Sequence, residues 1–336
     1  MERAFEFAGY EVQHVWGEGG HNGNHTTAIF PDAMRWLWKD WPAPVTTGET
    51  KNATLTSLLV PGERWRVAGE GYKDPEGLAV DQKGDVFFTE PSSNRIHRIG
   101  SDGRVTLFTS ASRGADQQAF GPDSRLYSAA SAGLKITAYD SNGGGMLVAG
   151  GQKAAGIVVT HNGNIYICEP ASDHSAEGKI WLIAPDGNRQ VVDTGIDHPG
   201  GITMSPDQSL LYVSDTRSHW IYSFKVQRDG KLAYKQKYYW LHVPDAYDDS
   251  GAAGMCVDSQ GLLYVTSRLG IQVCDQAGRV NCIIPTPAGR GTSLCLGGPN
   301  FDTLYVACGD RIYYRKLHTT GANAWAEPIK PPAPHL

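Results

Sequence analysis

The sequence predicts an all-β fold, a six-bladed β-propeller. A strand–turn–strand unit occurs six times, at intervals of roughly 40 residues. Most copies are followed by two further short alternating segments, so that each repeat supplies four strands. The turns between them are rich in Gly, Asn and Asp, the residues that reverse a chain between antiparallel strands.

Taken in order, the copies begin at "EGLAVDQKGDVFFTE" (76–90), "DQQAFGPDSRLYSAA" (116–130), "AGIVVTHNGNIYICE" (155–169), "GGITMSPDQSLLYVSD" (200–215), "AGMCVDSQGLLYVTS" (253–267) and "TSLCLGGPNFDTLYVAC" (292–308). Third strands follow in "NRIHRIG", "KITAYD", "KIWLIA", "WIYSFKV" and "RIYYRKL". The last copy lacks a fourth strand, whereas "ERWRVAGEGYKDPEG" before the first copy matches the fourth-strand segments elsewhere. The strand around Trp65 to Val67 is therefore expected to close blade six through backbone hydrogen bonds, leaving no open sheet edge. The propeller is expected over 60–320, preceded by a separate segment over 1–50 and followed by a Pro-rich tail over 321–336.

Composition narrows the function classes. With 40% apolar residues the chain has ample material for a core. A net charge of −5 and the lack of a Lys/Arg run argue against a nucleic-acid surface. No apolar run approaches the ~20 residues of a membrane span, and the N-terminus as written lacks the pattern of a secretion signal, so the expected location is cytoplasmic. The six cysteines sit in apolar alternations and read as buried free thiols, with Cys274 and Cys282 the one pair placed to face each other across a hairpin.

In a propeller the first strand of each blade lines the central channel, so the start of strand one and the end of strand two share a face. Glu76, Asp116, Ala155, Gly200, Ala253 and Thr292 are thus expected to ring the channel mouth, with Glu90, Glu169, Asp215 and Ser267 a step further out. A concave mouth bearing carboxylates is the default binding site. Glu76, Asp116 and His198 are the candidate catalytic groups, the histidine because an imidazole serves as a base near neutral pH. Lys153, Glu169 and Asp215 are the candidate substrate contacts. The acidic loop "PDAYDDSG", with Asp245, Asp248 and Asp249, reads as solvated.

The motifs "PEGLAVD", "GGITMSPDQSLLYVSDT", "GMCVDSQGLLYVTS" and "LGGPNFDTLYVACG" resemble those of the gluconolactonase and senescence-marker-protein (regucalcin-like) family over about residues 60 to 320. The resemblance implies lactone or activated-ester hydrolysis, with a divalent ion, often calcium, on a Glu of blade one, an Asn each of blades three and four, and an Asp of blade five. Here Glu76 matches, but the other positions read Ala155, Gly200 and Ala253. The ligands left for a weakly held divalent cation such as Ca²⁺ are Glu76 and Asp116. Two alternatives stand beside the hydrolase: a non-catalytic propeller that binds a small molecule or partner, and a metal-free enzyme resembling strictosidine synthase, in which one glutamate does acid/base work.

The first fifty residues have another character. "GYEVQHVWGEGGHNGNHTTAIFPDAMRWLWKDWP" reads as a strand, a glycine-rich loop and an amphipathic helix with Ile29, Phe30, Met34, Leu37 and Trp38 on its apolar side. It resembles the C-terminal end of an α/β-hydrolase esterase, which would put the triad histidine at His21; the glycines around His21 and His25 argue against a helix there. The chain contains no GxSxG nucleophile elbow for that histidine to serve. Residues 28–38 are expected to dock on the propeller or to mediate self-association through their apolar side.

Overall fold

The computed structural model describes residues 1–20, 23–43, 48, 50–130, 135–151, 153–171 and 177–334, and divides into two compact units, Met1–Ser57 and Leu58–Leu336. The second unit is a six-bladed propeller. Its blades begin with the strands Glu76–Val80, Gln117–Phe120, Gly156–Val159, Pro199–Met204, Met255–Asp258 and Gly291–Gly297, each innermost in its own antiparallel sheet. These six strands touch one another in a closed ring. Because both of their faces meet protein, they are almost continuously buried, which explains their near-unbroken apolar runs. Outer strands such as Arg66–Glu70 keep one side in water.

The ring closes as the repeat pattern requires. Arg66–Glu70 pairs antiparallel with Arg311–Lys316, Arg66 opposite Tyr314 and Glu70 opposite Arg311, and so supplies the fourth strand of blade six. Repeated turn chemistry sets the hairpins. Asp81 Oδ1 accepts the N–H groups of Lys83 and Asp85, Asp140 those of Asn142 and Gly144, and Asp275 those of Ala277 and Arg279. A side-chain carboxylate thus satisfies the amides that the reversing backbone leaves unpaired. Between blades the core is aromatic and aliphatic. Phe87 and Ile96 of blade one meet Phe120, Leu126 and Tyr139 of blade two, and each such side chain contributes roughly 1.5–3 kcal/mol when buried.

The segment from residue 321, set apart by composition, is part of the propeller body. Gly321–Ala322 adds a fifth strand to blade five beside Val257 and Asp258, and the chain then crosses the far end of the channel. Trp325 Nε1 donates to the Val80 carbonyl at 3.1 Å, and Gln208 Nε2 donates to the carbonyls of Ala324 at 2.8 Å and Ala326 at 2.9 Å. Composition marks prolines; it does not reveal that the backbone of 321–325 finds partners on four blades, at Phe301, Val257, Gln208 and His161. Behind this strap the channel holds a cavity of about 100 Å³, lined by Leu78, Val158, Ile202 and Cys295 among others. Gln118 faces it, 7% exposed, with neither end of its amide hydrogen-bonded within the protein.

Three further expectations are corrected. The strand expected at the start of the first unit is absent: Glu2–Phe7 is a short helix, and residues 10–18 carry no strand. A strand needs a neighbour for its ladder, and the described residues of this unit offer none. The expected helix is present as Asn24–Leu37 and so includes His25, with Gly23 as its N-cap; glycine ends a helix more readily than it prevents one from starting. His21 lies outside the described residues. None of this helix's side chains is buried, and Phe30 and Leu37 are each 56% exposed. The unit boundary at Ser57 falls in the interval 51–59 left between the two expected segments, with Leu58 buried in the propeller and Leu59 bridging Leu317. Finally, a bulge sets Cys282 opposite Val273 and Cys274 opposite Val280, so the two thiols are not directly cross-strand; all six cysteines are free.

Candidate functional site

The ring positions are neighbours around the channel mouth, and glycines make their spacing possible. A Cβ on Gly77 would run into the Asp116 carbonyl, one on Gly156 into the Gly200 carbonyl, and one on Gly201 into the Ala253 carbonyl. On Gly254 it would stand 2.7 Å from the Ser293 Cα. Each of these glycines directly follows a ring position, so the repeated glycine lets adjacent inner strands approach backbone to backbone. The Gly254 N–H donates to the Thr292 carbonyl at 3.2 Å, and Thr292 Oγ1 donates to the Pro75 carbonyl at 3.3 Å, which carries the circle back to blade one.

Glu76 and Asp116 come together on this ring. Glu76 is half-buried, and Gln117 Nε2 donates to its Oε2 at 3.4 Å. Its carboxyl is pushed up to about 7, first by burial, then by the charges of Asp116 and Asp74. A second carboxylate nearby in partial burial makes it costly for both to ionise.

The acids one step out have other work. Glu90 Oε1 accepts the Lys73 N–H at 3.1 Å, and its Oε2 lies 3.1 Å from His97 Nε2. Burial raises Glu90, but these hydrogen bonds outweigh it and hold the carboxyl below its usual range. Glu169 repeats the arrangement in blade three, accepting the Lys153 N–H at 3.4 Å and Trp181 Nε1 at 2.7 Å. In both blades the acid ending strand two ties down the loop that enters strand one. Asp215 accepts the Arg217 N–H at 3.2 Å, and Ser267 donates to the Gly270 carbonyl at 2.8 Å.

Lys153 is exposed on the blade-three rim. His198 stands on the blade-four rim, its carbonyl accepting from Thr216 N–H at 2.9 Å and Oγ1 at 3.2 Å, and its Nδ1 buried without a hydrogen bond. Asp249, expected to be solvated, binds Arg268 in a two-pronged pair at 3.0 Å on each prong, and Arg268 stacks 4.2 Å from the Tyr247 ring centre. Sequence reasoning passed over Arg268, Arg290 and Thr216. The one available signal was position: Arg290 precedes its ring residue by two, as Lys153 does.

The donor set does not suit a resident calcium ion. Such an ion takes six to eight oxygens, and Glu76 and Asp116 are the only ring side chains with carboxylates. No group of three His, Cys, Asp or Glu residues placed to hold a metal exists among the described residues. The blade-four place is also filled: the Thr216 methyl occupies the position that a Cβ on Gly200 would take. Nor is any described helix long and apolar enough to cross a membrane.

Residues 151–309 match the family model described as the SMP-30/Gluconolactonase/LRE-like region. A gluconolactonase of Zymomonas mobilis is 23% identical over 304 residues, covering 85% of this chain and 76% of that protein. Regucalcin of Bos taurus is 26% identical over 143 residues, covering 41% of this chain and 46% of its own, so the match spans about half of that relative. Among solved structures, a gluconolactonase of Xanthomonas campestris, described as important in glucose secondary metabolic pathways, superposes with a TM-score of 0.69 at 26% identity, covering 79% of this chain and 93% of that one.

Proposed function

We propose that this gluconolactonase-like six-bladed propeller hydrolyses lactones or activated esters at its channel mouth, without a tightly held metal. The observation that carries the reading is the juxtaposition of Glu76 and Asp116 on the ring, on the fold of proteins that bear the name gluconolactonase. Glu76 acts as general base and takes a proton from water as the oxygen attacks the carbonyl carbon. The C–O bond to the leaving alkoxide then breaks, and the alkoxide takes the proton back from Glu76. Burial first, and then the charge of Asp116, push the Glu76 carboxyl up to about 7, where a base is most effective. Lys153 and His198 on the rim orient substrate oxygens, and Glu169 and Asp215 shape the loops that hold them.

The second reading, a non-catalytic binding propeller, draws on Ala155, Gly200 and Ala253, which offer no functional group, and on the Thr216 methyl that fills one of the places. The test is hydrolysis of glucono-1,5-lactone and of a nitrophenyl ester, followed with purified full-length chain and with Glu76→Gln. Turnover above the uncatalysed rate that falls at least 100-fold in Glu76→Gln supports the hydrolase. No turnover by the parent chain, or an unaffected variant, rejects it, and retained lactone binding then supports the second reading.

A further inference from the structure

The geometry points to a carboxylate-binding subsite on the blade-five and blade-six side of the mouth, with Arg290 as the residue that takes the anion and Arg268 as the residue that positions it. Arg290 lies two residues ahead of the ring residue Thr292, at the entry to the inner strand Gly291–Gly297. Its guanidinium carbon stands 3.2 Å from the point that a Cβ on Gly251 would occupy, and the Arg268 Cγ lies 3.2 Å from that same point. Gly251 has a φ of +57° and lies two residues ahead of Ala253. A side chain there would displace both arginines.

The two guanidinium groups are not equivalent. Arg268 is committed, with Nε and Nη2 both donating to Asp249 and its flat face on Tyr247. Arg290 makes no hydrogen bond or ion pair among the described residues, and Asp245 and Asp248 stay exposed in their loop. With Asp249 paired to Arg268, the two adjacent arginines leave a surplus of one positive charge, and like charges held side by side repel. Burial, then Arg268, lowers the pKa of Arg290, yet the group stays charged. A free planar fork with a single surplus charge matches a monocarboxylate, which it can grip with two parallel hydrogen bonds.

This inference deepens the hydrolase reading and rests on it for the identity of the anion. Opening a lactone yields a hydroxy acid, so the subsite takes the carboxylate product or a substrate that already bears one. The binding itself does not depend on turnover.

The experiment is titration calorimetry of the full chain with D-gluconate, with uncharged D-glucitol as the control. Gluconate should bind the parent chain at least tenfold more tightly than glucitol. Arg290→Gln should weaken gluconate at least tenfold and leave glucitol unchanged, while Arg290→Lys, which keeps the charge but not the fork, falls between. Gluconate affinity unchanged in Arg290→Gln, equal affinity for the two probes, or no binding by the parent chain overturns the subsite. Arg290-dependent binding in a chain that hydrolyses no lactone would sink the hydrolase reading and leave the subsite standing. Turnover with Arg290-independent binding would do the reverse.

Discussion

At the scale of single residues, Glu76 couples the mouth to the stability of the fold. Its carboxyl titrates near 4.5 in an unfolded chain and is pushed up to about 7 in the propeller, so between those values the folded state holds more protons than the unfolded one. The stability this group contributes is fully present below pH 4.5 and is lost as the pH rises through about 7. Glu76→Gln, which cannot ionise, should therefore stabilise the protein at pH 8 by about 2 kcal/mol, after allowance for solvent at the half-buried carboxyl, and by almost nothing at pH 4.5. Thermal melts of both proteins across pH 4.5–8 check this. Equal differences in melting temperature at both ends would show that Glu76 ionises freely, and its acid/base role would lose its support.

At the scale of elements, the inner strands explain why the repeat carries a glycine directly after four of its ring positions. Gly77, Gly156, Gly201 and Gly254 let one strand's backbone lie against the next, and the case is strongest at Gly201, where an added Cβ would overlap the Ala253 carbonyl. Backbone cannot swing aside as a long side chain can. Gly201→Ala should cost about 2–3 kcal/mol, as overpacking of a tight interior does. Gly187→Ala is the useful contrast: its φ of +85° makes alanine strained, but nothing lies within 4 Å, so only the backbone term of about 1 kcal/mol remains. Urea melts of the two variants measure the difference. If Gly201→Ala loses no more stability than Gly187→Ala, close approach of the inner strands is not what that glycine serves.

At the scale of the whole molecule, the strand Arg66–Glu70 determines where the chain can be cut. Removing 1–57 takes away a unit with its own internal contacts and should leave a cooperative melt. Removing 1–70 also strips the fourth strand of blade six and bares the backbone edge of Arg311–Lys316, which invites edge-to-edge association. The expected outcome is a soluble monomeric propeller from the first deletion and aggregation or a much lower melting temperature from the second, read by light scattering and circular dichroism. A first deletion that fails to fold would make residues 1–57 part of the propeller's fold.

The sequence by itself determined the number of blades, most of their strands, the closing strand and the ring of residues from Glu76 to Thr292, but not the fifth strand that Gly321–Ala322 adds to blade five. These follow from alternation and turn chemistry, which are local and repeat six times, so each copy corroborates the others. The pairing of Glu76 with Asp116 was legible for the same reason, since register within a repeat places both on one circle. What only the tertiary structure decided depends on contacts far apart in the chain. The tethering of loops by Glu90 and Glu169, the Thr216 methyl packed against Gly200, and the strap through Trp325 across the far end of the channel all belong here. So does the uneven pair Arg268 and Arg290, which converge over Gly251 from loops of blades five and six. A periodic pattern reveals which backbone positions face the channel. Which side chain then fills, bridges or leaves open the space between blades is settled by packing among segments that no periodicity relates.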